Sequence, residues 1–521
     1  MRLSTMYSVK ETIPMHPAQP EPTAPAPSPC DPFELPIAAL SHEMDRGRLT
    51  AVRLVEWHLA SIEAFDRAGP SINAVSYLHP AALDEAARLD RERALRGPRG
   101  PLHGMPMVIK DNIDCAGLPT TAGCRALHDA VPAADAPAVA RLRAAGAIVL
   151  GKTNMSELAA SNGRFGYSSA HGLTLNPYRL ARNASGSSSG TGAAVAAGLA
   201  VFGLGTDSFG SVRGPACVHA LVGMRPTHGL LDAAGVLPLA PSFDTVGPLG
   251  RTVDDVALVL AALAPDAGFG ARGTGLAGRR LGIVTDFCGG NDDIDELFAR
   301  ACADVARAGA QTVAVALPID ARRLYEDLLA EIVRSEWVAA MDRHLARMAP
   351  PCPRDTAGLL RRIEAERQAG AGYPPNPLTV AALRHALDTR HAPSRACVAA
   401  ARALGTQLAA SMEASRCDAL VYPTLACPAS PRFDLPDPSY RCRADNPLAA
   451  MHIASAAGFP ELSVPMGWTD DGVPAGLSLL GRSGHDAVLL DMARAFEAAT
   501  AHRRPPPSTP RLGAPAGWEA A

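Results

Sequence analysis

The chain has 521 residues, of which 47% are hydrophobic, enough for a large core in one long α/β unit or a few average domains. A formal net charge of -3, with no basic cluster interleaved with aromatics, argues against a nucleic-acid partner. Eleven scattered cysteines, with no C-x-x-C pair and no His pair at ligand spacing, suggest neither a disulfide framework nor a metal site, which points to a reducing cytoplasm. No run of 18 apolar residues and no apolar signal-peptide core appears, so no membrane span is expected.

Residues 1–36 carry nine prolines among small and polar residues and read as an extended, disordered leader. The folded pattern starts at Ile37. Three amphipathic helices follow: "IAALSHEMDRG", "LTAVRLVEWHLASIEAFDRAG" and "AALDEAARLDRERALRG". Short apolar strands then alternate with helices: "MPMVIKDNI" (105–113), "AIVLG", "AVFGLGTD" (200–207), "RRLGIVTD" (279–286), "QTVAVAL" (311–317), "DALVYPT" (418–424), "ELSVPMG" (461–467) and "AGLSLLG" (475–481). This alternation predicts an α/β fold with a largely parallel central sheet. Between about 320 and 415 the strands vanish, and a helical insertion with a Pro/Gly-rich loop is expected to cap something. Residues 37–505 form the folded unit in this reading, and 506–521 a disordered tail.

Two motifs invite misreading. "GAIVLGKT" (146–153) fits the phosphate-loop pattern G-x-x-x-x-G-K-[ST]. Yet a helix precedes Gly146, and the intervening residues are apolar and partly β-branched, so the stretch reads as helix, turn and buried strand whose N–H groups are taken up by the sheet. "GSSSG" (186–190) fits the G-x-S-x-G elbow around Ser188, but the polar "NPYRLARNA" stands where the elbow needs a strand.

The densest chemistry lies in "NASGSSSGTGAAVAAGLAVFGLGTDSFGSVRGPA" (183–216). Taken singly, its serines and glycines cap helices and close turns. Two observations go further. Ser208, Phe209, Gly210 and Ser211 lie between a strand end and a helix start, where successive N–H groups form an anion-binding nest. Lys110 ends a strand where an apolar side chain is expected, and a buried lysine is costly unless neutralised or used.

These segments resemble the amidase signature family, whose diagnostic Ser/Gly run is followed, two dozen residues after its first Ser, by G-T-D-x-G-G-S-I-R-x-P-A. Ser187 takes the first position and Ser211 the last. "GMPMVIKDNID", "GKTNMSELA", "LVGMRPTHG" and "ELSVPMGWTDDGVPAGLSLLG" resemble further family segments, so the likeness runs from about 37 to 500.

The resemblance implies a single large α/β domain with a mixed, mostly parallel central sheet flanked by helices on both faces, and a Ser-cisSer-Lys triad. Ser211 is then the nucleophile, Lys110 the base acting through Ser187, and the Gly186–Ser187 peptide is cis. The N–H groups of Ser208, Phe209, Gly210 and Ser211 form the oxyanion hole, and Asp207 and Arg213 either brace the loop or are ordinary ion-pair residues. For Lys110 to be neutral at pH 7, from a reference pKa of about 10.4, its surroundings must supply about 4.6 kcal/mol. The implied activity is hydrolysis of a small-molecule carboxamide without metal or cofactor, a homodimer being compatible with it. The alternatives are the glutamine-hydrolysing subunit of a tRNA-dependent amidotransferase and a non-catalytic scaffold. Phe209 and Ser189 depart from the family, standing where it has Gly. Phe209 either walls the acyl pocket or packs in the core. His219 stands where many relatives have Cys and is given no role.

Overall fold

The computed structural model describes residues 34–370, 372–389 and 395–512. The expected leader, apart from its last three residues, lies outside them, as do 513–521.

Strands built of apolar or small residues on both faces must be covered on both faces. Such strands are Pro106–Lys110 (β2), Ile148–Thr153 (β3), Phe202–Asp207 (β6) and Thr245–Gly250 (β8), buried at every position. They belong to an eleven-stranded sheet in the order β1-β3-β2-β6-β8-β7-β12-β13-β11-β9-β10. The other members are Val75–Leu78 (β1), Val222–Arg225 (β7), Arg280–Ile283 (β9), Gln311–Ala314 (β10), Ala419–Pro423 (β11), Glu461–Trp468 (β12) and Pro474–Leu480 (β13). Tyr167–Ser168 (β4) and Gly172–Leu173 (β5) form a separate two-stranded piece.

The sheet is mixed. Parallel pairing joins β2 to β3 and β6, and β9 to β10 and β11. Antiparallel pairing links β6, β8, β7, β12, β13 and β11 through the middle and adds β1 at an edge. Three of these antiparallel members, β1, β7 and β8, are short or glycine-rich and carry little apolar periodicity.

The three N-terminal helices form at Ile37–Asp45, Ala51–Ser61 and Ala82–Arg96. Thr50 caps the second by accepting from the Arg53 N–H at 3.1 Å. The phosphate-loop look-alike folds as read from its residues: helix Pro137–Ala144, a turn at Gly146 (φ +89°), then β3. Lys152 ends inside the protein, donating to Pro119 O at 3.1 Å and lying 3.4 Å from Asp111.

Residues 325–414 supply helical segments most of whose buried apolar side chains belong to one cluster. That cluster is shared with the body, where Leu127, Met155, Leu237 and Phe243 join it, and polar contacts add to the docking: Tyr167 donates to Pro374 O at 2.6 Å, and Arg362 pairs with Asp129 at 2.9 Å. Among the described residues, no helix is long and apolar enough to cross a membrane.

Two expectations need correction. Cys427 and Cys442 form a disulfide, so the scattered cysteines do include a bonded pair. Spacing could not reveal it, because a pair separated by 15 positions has no framework signature. Residues 506–512, expected in a disordered tail, lie described along the body, with Thr509 buried and the Ser508 hydroxyl donating to Pro177 O at 2.6 Å.

Candidate active site

Parallel pairing of β2 with β6 carries Lys110, the last residue of β2, to the end of β6. Lys110 is fully buried. Its Nζ lies 2.8 Å from Ser187 Oγ, 2.7 Å from Thr206 Oγ1 and 3.2 Å from Thr206 O. Burial pulls its pKa down to about 7, against the opposing pull of the Asp207 and Asp244 carboxylates. Asn112 donates to Thr206 Oγ1 at 3.1 Å and orients that hydroxyl.

Ser187 follows a cis peptide from Gly186. Its neighbour Ser188 donates its N–H to Ser211 O at 3.2 Å, which ties the Ser/Gly run to the 208–212 loop. The Ser188 hydroxyl donates to Thr206 O, and Ser189 opens the helix Ser189–Ala196. Among the described residues no strand directly precedes the run, so GSSSG is not an elbow.

The 208–212 loop is organised by Asp207. Its carboxylate accepts from the Gly210 N–H at 2.8 Å and the Val212 N–H at 3.0 Å. It also accepts from Arg213 Nη2 at 3.0 Å and Arg225 Nη1 at 3.2 Å. Arg213 in turn pairs with Glu461, which accepts from Tyr422 OH at 3.0 Å and Ser478 Oγ at 2.6 Å. Asp207, Arg213, Arg225 and Glu461 are all fully buried. Burial alone would raise the Asp207 pKa, but the two guanidinium groups hold it well below the usual carboxylate range.

Of the four N–H groups expected to form the nest, one is already engaged. The Gly210 N–H is spent on Asp207, leaving those of Ser208, Phe209 and Ser211, for which no acceptor lies in range among the described residues. The left-handed position of the loop is Gly210 (φ +98°), where a Cβ would lie 2.3 Å from Met451 Sδ. Phe209 thus keeps its side chain without a positive φ. Its ring is half-buried and packs on Phe243 at 5.2 Å and Tyr325 at 5.4 Å, the latter from the helical insertion. Ser208 Oγ donates to Asp244 at 2.5 Å. His219 is a core residue bonded to Pro215 O at 2.7 Å, its pKa lowered by burial to about 4.

Thr206, Asn112, Arg225, Asp244 and Glu461 were not singled out in the sequence. Their common signal is a polar residue in or next to an otherwise apolar strand.

The family model described as Amidase matches residues 56–490. The chain belongs to the amidase family. It is 35% identical to the peptide amidase of Stenotrophomonas maltophilia, with a TM-score of 0.80 over 91% of this chain and 99% of that one. It is also 34% identical, over 92% of this chain and 99% of the relative, to a glutamyl-tRNA(Gln) amidotransferase subunit of Symbiobacterium thermophilum. The structure of the corresponding Thermotoga maritima protein matches at 25% identity with a TM-score of 0.66, covering 89% of this chain and 95% of that one. The amidase is accordingly an amide-hydrolysing enzyme on a mixed-sheet fold.

Two outcomes follow from the buried charges. Arg213→Met leaves Asp207 and Glu461 short of a counter-charge and is expected to cost about 3–5 kcal/mol in denaturant unfolding. An unfolding free energy within about 1 kcal/mol of wild type would contradict the network's role. Lys110 has a folded pKa near 7 and an unfolded one near 10.5, so between those values the unfolded chain binds more protons and stability rises with pH. The cost of burying the ammonium is fully present below pH 7. At about 1.36 kcal/mol per pKa unit, wild type should gain a few kcal/mol on Lys110→Met between pH 7 and 10. A constant difference across that range would refute the lowered pKa.

Proposed function

We propose that this amidase cleaves carboxamides through an acyl-enzyme on Ser211, with Lys110 as the base acting through Ser187. The observation that carries the reading is the 2.8 Å contact between Lys110 Nζ and Ser187 Oγ, made by a buried amine whose pKa lies near 7. A neutral amine accepts the Ser187 proton while Ser187 Oγ takes the proton of Ser211. Ser211 Oγ then forms a bond to the substrate carbonyl carbon, and the carbonyl π pair moves to oxygen, which faces the N–H groups of Ser208, Phe209 and Ser211. The C–N bond breaks as the stored proton returns through Ser187 to the leaving nitrogen, releasing ammonia or an amine. Water repeats the sequence on the ester and frees the carboxylate.

The likeness to a peptide amidase favours a stand-alone hydrolase. A second reading, a glutamine-hydrolysing subunit needing partners, is favoured by the names of the amidotransferase relatives. The purified chain, given simple aliphatic and aryl amides, separates the two. Ammonia release without partner proteins supports the first, and release only from glutamine with partners present supports the second. Silence on every amide would leave the scaffold reading.

Ser211→Ala is expected to fold and to abolish the acyl-enzyme mass, and ordinary turnover in that variant would remove Ser211 from the mechanism. In wild type, kcat/KM should fall about tenfold per pH unit below about 7 as Lys110 gains its proton. Lys110→Ala should lose several orders of magnitude at pH 7, with partial recovery as hydroxide rises. A wild-type pH profile in Lys110→Ala would exclude it as the base.

A further inference from the structure

Beside the Ser/Gly run lies a cavity of about 130 Å³ that the triad does not use. Two of its wall residues touch the segments that carry Ser187 and Ser211. The Phe165 ring on its wall abuts Gly186, where an added Cβ would lie 3.4 Å away. Ser185, also on its wall, places its hydroxyl against Gly214, three residues after Ser211, where an added Cβ would lie 2.7 Å away. Its apolar floor of Val218, Leu425 and Leu448 is continuous with Met451, which packs on Gly210.

No charged side chain lines this cavity. The contrast is local. On the other side of Pro428 and Tyr440, a second cavity of about 580 Å³ is lined by seven charged side chains, Arg182, Asp292 and Asp471 among them. The Cys427–Cys442 bridge has one sulfur-bearing residue on each cavity, so the loop it closes is a partition between an uncharged and a charged space. A charged group entering the smaller cavity would be desolvated without a counter-charge. An apolar group would lose nothing, and a void of about 150 Å³ accepts a benzene ring.

We propose that this cavity binds an uncharged apolar substituent of the amide substrate, between isobutyl and phenyl in size, and that it selects against zwitterionic amides such as free glutamine. The inference rests on the acyl-transfer reading above. The substituent can come from the acyl or the amine side of the scissile bond, and two substrates distinguish them.

The full-length chain is assayed on acetamide, 4-methylpentanamide and N-isobutylacetamide. One of the two larger amides should exceed acetamide in kcat/KM at least about tenfold, and which one identifies the side. Leu448→Asp, which puts a carboxylate on the floor, should reduce that ratio at least about tenfold. Leu448→Phe, which fills the space without charge, should reduce it similarly and decides the matter if the Asp variant does not fold. Activity with no preference in wild type, or an unchanged ratio in the folded variants, overturns the inference alone. Hydrolysis of none of the three amides overturns the inference, while loss of the acyl-enzyme mass in Ser211→Ala tests the acyl-transfer reading separately.

Discussion

Everything at the active site hangs from one buried carboxylate. Asp207 ends β6 at the point where the chain must turn into the Arg213–Val218 helix, and it spends its oxygens on the Gly210 and Val212 N–H groups and on two guanidinium groups. The two arginines come from different elements, and Arg213 passes the connection on to Glu461 in β12, itself bonded from β11 and β13. With two carboxylates and two guanidinium groups the knot is neutral, which is the condition for keeping such groups fully buried. The pattern of N–H donors left over follows directly. Asp207 takes those of residues 210 and 212, so those of 208, 209 and 211 remain for a ligand.

The knot also sets the electrostatics of Lys110. Burial drives the amine toward neutrality, and two acidic groups, Asp207 and Asp244, drive it toward charge. A bare Asp207 would hold the ammonium charged, as opposite charges in a low dielectric do. Its pairing with Arg213 and Arg225 screens that pull, while Asp244 is occupied by the Ser208 hydroxyl and by the N–H groups of Leu239 and Ala240. A pKa near 7 is the balance of these pulls, with burial the larger and the two carboxylates opposing it.

This explains what could be read from the sequence and what could not. Lys110 was visible because one charge interrupts an apolar strand, and Ser187 and Ser211 because a family motif carries them. The long apolar strands β2, β3, β6, β12 and β13 were visible for the same periodic reason. Glu461 and Arg225 were not, because each sits at the end of a strand, where a polar residue ordinarily meets solvent. Only the pairing of β7 with β12, which sets Glu461 opposite Arg225, turns those ends inward. The strands β7 and β8 were hidden by glycines: Gly223, Gly247 and Gly250 let the backbones pass closely but erase the apolar alternation. The disulfide was hidden because its partners meet only across a loop that the fold closes.

Phe209 shows how a departure from a family pattern is absorbed. A side chain two residues before Ser211 is compatible with the loop because the left-handed turn falls one residue later, on Gly210. The ring then needs apolar neighbours, and it finds Phe243 from the body together with Tyr325 and His452, whose ring centroids lie 5.2–6.4 Å away. Tyr325 belongs to the helical insertion, so the 208–212 loop and the insertion share this aromatic contact. Aromatic pairs of this kind contribute about 0.5–1.5 kcal/mol beyond the area they bury. A glycine at 209 would give the insertion no such hold on the loop, so this substitution couples the position of the insertion to the geometry of the residues beside Ser211.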